Sequence, residues 1–208
     1  IDLGENPFAI HSKMIQHYNR KLMDDAGDEY TILAWTKKIG DGHPVERYNE
    51  KREIFSSCAG AALYRKSALE EIGLFDDNFF AYVEDIDLAY KSQIYGYKNY
   101  FCPNSIVYHY GSGTSGSRYN EFKIKLAARN NVFLIYKNFP ILQKIINFIF
   151  LFLGFSIKYL LASTHTKKFS FIHFPLTNSN FCFNSFSSLN VQFQLFFSCI
   201  SQSRTLKK

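Results

Sequence analysis

A chain of 208 residues, 47% of them hydrophobic, has the apolar content for one domain with a core, which excludes an intrinsically disordered protein. Its net charge of +6 and pI near 9.0 come from scattered basic residues. With no Lys/Arg block a nucleic-acid recognition arm is excluded, whereas a diphosphate ligand or an anionic lipid surface fits the sign.

Taken in chain order, residues 13–41 are mixed and polar, with a short apolar stretch at 30–35 that reads as strand. Gly40, Gly42 and Pro44 punctuate an ordered loop over 40–53. Residues 54–64 are small and apolar around Cys58-Ala59-Gly60-Ala61-Ala62, the pattern of a buried strand approached closely by a ligand or another chain segment. The spacing of Ser67 and Glu70 predicts a capping box opening a short helix that stops at Gly73. A loop of aromatics flanking acids, Phe75-Asp76-Asp77-Asn78-Phe79-Phe80, leads to a second helix starting at Glu84 or Asp85 and ending before Gly96.

Residues 100–102 and 106–110 read as two short strands on either side of Pro103-Asn104, and the Gly/Ser run 111–117 as a mobile loop. Over 119–138, Phe122, Leu126, Phe133 and Leu134 give the apolar face of an amphipathic helix closed by Pro140. The apolar run 145–157, flanked by Lys144 and Lys158, is shorter than the ~20 residues a bilayer-spanning helix needs, and reads as an interfacial helix or, alternatively, a core helix. Residues 169–203 hold no Asp, Glu, Lys or Arg and repeat Phe, Ser and Asn without period, as a degenerate or out-of-frame tail would. The division expected is 1–140 as an α/β domain, 141–168 as an apolar helical segment and 169–208 as a tail.

Cys58, Cys102, Cys182 and Cys199 show neither zinc-knuckle nor C-x-x-C spacing, which points to a reducing cytosol. Residues 1–10 lack the basic region and apolar run of a signal peptide, and a start at Ile1 is compatible with a fragment.

The stretches Ser57-Cys58-Ala59-Gly60-Ala61-Ala62-Leu63-Tyr64-Arg65, Gly73-Leu74-Phe75-Asp76-Asp77-Asn78-Phe79-Phe80-Ala81-Tyr82-Val83-Glu84-Asp85-Ile86-Asp87-Leu88 and Val107-Tyr108-His109 come in that order, with Gly40-Asp41-Gly42 before them and Arg129-Asn130-Asn131 after. Together they resemble the family 2 glycosyltransferases, most nearly the rhamnosyltransferase-like enzymes of bacterial polysaccharide assembly, over residues 13–140. The resemblance implies the acceptor-side half of a GT-A type α/β fold. It also implies inverting transfer of a sugar from a nucleotide-diphosphate donor to a saccharide or lipid-linked acceptor, with a divalent metal, Mg or Mn, in the complete enzyme. The setting implied is cytoplasmic, peripheral on the inner face of the cell membrane. The nucleotide-binding βαβ units and the D-x-D that closes them in the family are not in this sequence, so the chain by itself is expected to be inactive. A degenerate, non-catalytic module that binds saccharide or a partner protein is the alternative.

Inversion needs one base to take the acceptor hydroxyl's proton while charge develops on the leaving diphosphate. Carried over from the family, Asp85 is that base and Glu84 its acceptor-binding or orienting neighbour; without the family, Asp85 reads equally as a helix cap, and Asp87 as a first-turn acid. The D-x-D spelling of Asp85-Ile86-Asp87 is coincidental by position. His109, ahead of the Gly/Ser run, reads either as a ligand of metal or diphosphate, as in some relatives, or as a structural hydrogen-bonding residue. Cys58, Gly60 and Ala61 could admit a sugar against the backbone, and Phe79, Phe80 and Tyr82 could wall it or belong to the core.

Overall fold

A computed structural model describes residues 5–111 and 121–165; the expectations for 112–117 and for the tail beyond 168 lie outside them. The chain is a mixed α/β protein built on a curled mixed sheet. Its central strand, β1 (Pro7–Gln16), is buried on both faces, which is why the polar stretch at its middle does not read as strand: His11 and Lys13 are 0% and 5% exposed. Lys13 is accommodated because its Nζ donates to the Val45 carbonyl at 2.9 Å and to Asn49 Oδ1 at 2.8 Å.

Along one side β1 pairs in parallel with β7 (Lys98–His109). Along the other it pairs antiparallel, first with β6 (Ala62–Tyr64) and then with β2 (Met23–Asp25). β5 (Arg52–Ile54) pairs antiparallel with the start of β7, and a separate hairpin joins β3 (Asp28–Tyr30) to β4 (Thr36–Lys38). The two strands expected around Pro103-Asn104 are therefore one. The register against β1 jumps from Ser12↔Cys102 to Lys13↔Ile106, so the residue that lacks an amide donor is absorbed in a bulge instead of ending the strand.

Residues 54–64 are not a buried strand. β5 ends at Ile54, a 3-10 turn covers Ala59–Ala61, and Ala59 and Gly60 are exposed. Helix α1 (Lys66–Ile72) follows β6 without the expected capping box, since Arg65 is its N-cap and Ser67 already lies inside the helix, while Glu70 pairs with Lys66 at 3.7 Å. It ends at Gly73, whose φ of +91° suits a residue without a Cβ. Helix α2 (Glu84–Ile94) has the expected bounds, with three acids in its first turn and Gly96 beyond its end.

Helix α3 (Glu121–Asn138) buries Asn130, Asn131, Leu134 and Ile135, while Phe122, expected on its inner face, is 57% exposed. The apolar run after it forms α4 (Ile141–Ile146) and α5 (Phe148–His165), separated at Asn147. No helix among the described residues is long and apolar enough to cross a membrane. The largest core cluster joins Phe79, Ile86, Leu134, Ile135, Phe139 and Leu151, and so locks α2, α3 and α5 together with the loop that leads into α2.

Candidate functional site

The loop entering α2 is held in a conformation that L-residues seldom adopt: Phe80, Tyr82 and Val83 have φ of +62°, +66° and +72°. What holds it is Asn130, fully buried on α3, whose Nδ2 lies 2.8 Å from the carbonyls of Phe79, Ala81 and Tyr82. Arg129 donates to the Asn78 carbonyl at 2.9 Å and to Asn130 Oδ1 at 2.9 Å, which fixes the orientation of the clamp. Asn131 donates to the Ala34 carbonyl and accepts from Tyr30 Oη at 2.8 Å, tying the same helix to the β3–β4 hairpin.

This loop delivers Glu84 and Asp85 to the start of α2. The cap itself is Val83, with no side-chain cap bond, and Asp85 is the second residue of the helix, so an N-cap role does not account for it. Its Oδ1 accepts from the amide of Ile86 at 2.9 Å and its Oδ2 from the amide of Ala59 at 3.3 Å, which brings the Cys58-Ala59-Gly60-Ala61 turn against the carboxylate. A helix N-terminus and two amide donors favour ionised carboxylate. Burial, with the neighbouring charge of Glu84, outweighs them and pushes Asp85 up to about 6. Burial also raises Glu84, whose Oε2 is enclosed without a hydrogen-bond partner.

Behind this pair lies a charged group that the sequence did not single out. Asp28 on β3 is pushed up to about 8 by burial and then by the charges of Asp25 and Asp85. Lys38 on β4 donates to Asp24 Oδ2 at 2.9 Å and lies 3.6 Å from Asp25 Oδ2. Burial works to raise Asp24, but the bonds and charges of Lys38 and His109 prevail and hold it below the usual carboxylate range. His109, at the end of β7, places Nδ1 2.8 Å from the same Asp24 oxygen, and fully buried His11 brings Nε2 to 3.4 Å from Asp25 without a hydrogen bond. The cue available in the sequence is Asp24-Asp25-Ala26-Gly27. Gly27 has φ +106°, its amide donates to Asp25 Oδ1 at 2.7 Å, and a Cβ there would meet Ile54 Cδ1 at 2.6 Å.

The remaining expected site residues divide. Cys58 and Ala61 are half-buried and Gly60 exposed beside Asp85, and burial followed by the Asp85 charge pushes the Cys58 thiol up to about 12, away from the reactive thiolate form. Phe80 is 80% exposed and Tyr82 half-buried. Phe79 is 0% exposed in the main cluster, which makes it core and removes it from any sugar-facing wall. Asp87 is more than a first-turn acid: fully buried, it accepts from Lys137 Nζ at 2.9 Å and Asn138 Nδ2 at 2.6 Å. Its partner set on α3 separates it from Asp85, so the D-x-D spelling is not a paired site.

Among the described residues no three His, Cys, Asp or Glu side chains gather as a metal-ligand set. With Nδ1 turned to Asp24, His109 has only its other ring nitrogen to offer an ion, so these donors do not by themselves fit a divalent metal centre. In comparison with known proteins, no family model matches the chain and no curated protein matches it.

Proposed function

We propose that the chain carries the acceptor-side site of an inverting, family 2-like glycosyltransferase with a GT-A type fold, using a nucleotide-diphosphate sugar as donor in bacterial surface-polysaccharide synthesis. The observation that carries this reading is Asp85: a carboxylate raised to about 6, held by the Ala59 amide, next to the unpartnered oxygen of Glu84. A base in that range is mostly ionised at neutral pH, yet binds a proton more readily than an ordinary surface aspartate. The acceptor oxygen forms its bond to the anomeric carbon, the bond to the diphosphate breaks with inversion, and the hydroxyl proton passes to Asp85. Glu84, whose Oε2 is enclosed, is the neighbour whose charge helps to raise Asp85. The half-buried Cys58 and Ala61 and the exposed Gly60 would be the acceptor's line of approach to the turn. A divalent metal, which the resemblance implies for the complete enzyme, would draw ligands from outside the set described above.

The test is Asp85→Asn in the chain joined to a nucleotide-sugar-binding half. Loss of the base should lower kcat by on the order of 10² to 10⁴ with little change in donor affinity and no fall in melting temperature. Near-parental turnover would remove Asp85 from the mechanism. Saccharide binding that shifts the Ala59, Glu84 and Ile86 amide resonances, without turnover in the joined protein, would favour the non-catalytic saccharide-binding alternative.

A further inference from the structure

The surface of α4 and α5 is apolar on the side that faces away from the body. Ile141, Ile145, Ile149, Leu153 and Leu160 are between 47% and 67% exposed, and Leu142, Ile146 and Leu161 extend the same stripe at helical spacing. The opposite side of α5 is the packed one: Leu151 is 2% exposed, and a Cβ on Gly154 would collide with the Leu33 carbonyl. A helix that is apolar on both faces is an unusual surface for a protein in water, and a continuous stripe of this size marks an interaction surface.

The charge around it selects the partner. The last acidic residue of the chain is Glu121, so α4 and α5 carry two lysines, Lys144 and Lys158, and no acid, with Lys167 and Lys168 next in the sequence; of the cations on α3, Lys125 pairs with Glu121 and Lys137 with Asp76 and Asp87. A second copy of this face would set like charge against like, and the stretch 169–203 of the chain's own tail, which carries no charged residue, would bring it no opposite charge. An anionic bilayer surface offers the apolar layer and the opposite charge together. We infer that α4 and α5 lie in the interface of an anionic membrane, with the stripe from Ile141 to Leu161 inserted.

The docked helices are fastened to both elements that carry the acidic site. Tyr90 of α2 donates to Gln143 of α4 at 3.0 Å, while the Trp35 indole donates to the Gly154 carbonyl at 3.0 Å and Lys158 to the Ala34 carbonyl at 3.2 Å, both in the β3–β4 turn. Docking stands on the stripe and the charge alone. The corollary that the acceptor at Asp85 is lipid-linked rests in addition on the glycosyl-transfer reading.

The experiment is sedimentation of the whole chain with phosphatidylcholine vesicles, with and without phosphatidylglycerol. The triple variant Ile145→Ser, Ile149→Ser, Leu153→Ser serves as the test, with Ile149→Trp as a reporter. The chain should pellet with the anionic vesicles, and partitioning should fall about ten-fold or more in the triple variant. The emission that Ile149→Trp adds to that of the parent should shift to the blue on vesicle addition. Because the three positions are exposed, urea unfolding of the triple variant should match the parent. Pelleting that the triple variant leaves unchanged, vesicle binding without a blue shift, or a vesicle-independent dimer that the triple variant dissolves would each overturn the inference. None of these outcomes depends on turnover, so failure here leaves the role of Asp85 standing, and loss of that role leaves the docking standing.

Discussion

Asn130→Asp tests how the loop before α2 is held. The amide Nδ2 has two hydrogens and three carbonyl neighbours at 2.8 Å, those of Phe79, Ala81 and Tyr82, so the clamp is shared among them. Aspartate keeps the volume but replaces the donor with an oxygen that faces three other oxygens inside a fully buried site. Losing the donors strands at least two carbonyls, at about 1 to 3 kcal/mol each, so the loss should be about 2 to 6 kcal/mol at neutral pH. The positive φ values at Phe80, Tyr82 and Val83 add to the case, because the clamp helps to offset their strain. Burial against carbonyls should raise the folded-state pKa of the new carboxyl above its unfolded value near 4, so the deficit should shrink as pH falls toward 4 and the protonated acid regains one donor. Urea unfolding followed by Trp35 emission, at pH 7 and at pH 4.5, measures both effects. A loss under about 1 kcal/mol at pH 7, or a deficit that grows on acidification, would show that Asn130 does not hold the loop.

Other expectations concern the acids behind Asp85 and the seat of α5. Asp28 is raised to about 8 and Asp85 to about 6, and a carboxyl whose folded pKa is raised binds more protons folded than unfolded, so the stability these two contribute should be fully present below about pH 4 and be lost as pH rises to about 6 for Asp85 and on to about 8 for Asp28. Asp28→Asn should flatten that decline, with melting temperature close to the parent at pH 4 and higher than the parent at pH 8.5; an unchanged slope would refute the assignment. Gly154→Ala should destabilise by about 1 to 3 kcal/mol through its clash with the Leu33 carbonyl, whereas the same change in an uncrowded helix stabilises by about 1 kcal/mol, so the sign of the measured change decides whether α5 seats there.

What the sequence discloses follows the range of the interactions involved. Helix α2 was legible because its signals are local: acids in the first turn and Gly96 past the end. The position of Asp85 was legible for the same reason. Its environment was not, because Asp25 and Asp28 reach it across some sixty residues of chain, and Lys38, Asp24 and His109 meet only where β2, β4 and β7 converge. β1 was hidden by the rule that buried strands read as apolar runs. His11 and Lys13 are buried polar residues, and what makes Lys13 tolerable is a carbonyl and an asparagine more than thirty residues away. The run around Gly60 misled in the opposite direction, since small apolar residues suit a tight turn as well as a close-packed strand, and only the amide bond from Ala59 to Asp85 shows which use the fold makes of them. Asn130 unites the two cases. Its spacing of four from both Leu126 and Leu134 puts it on the inner face of α3, but nothing local names its partners; its side chain fixes the loop that sets Asp85 in place, so the site depends on a residue that lies 45 positions away from the carboxylate it serves.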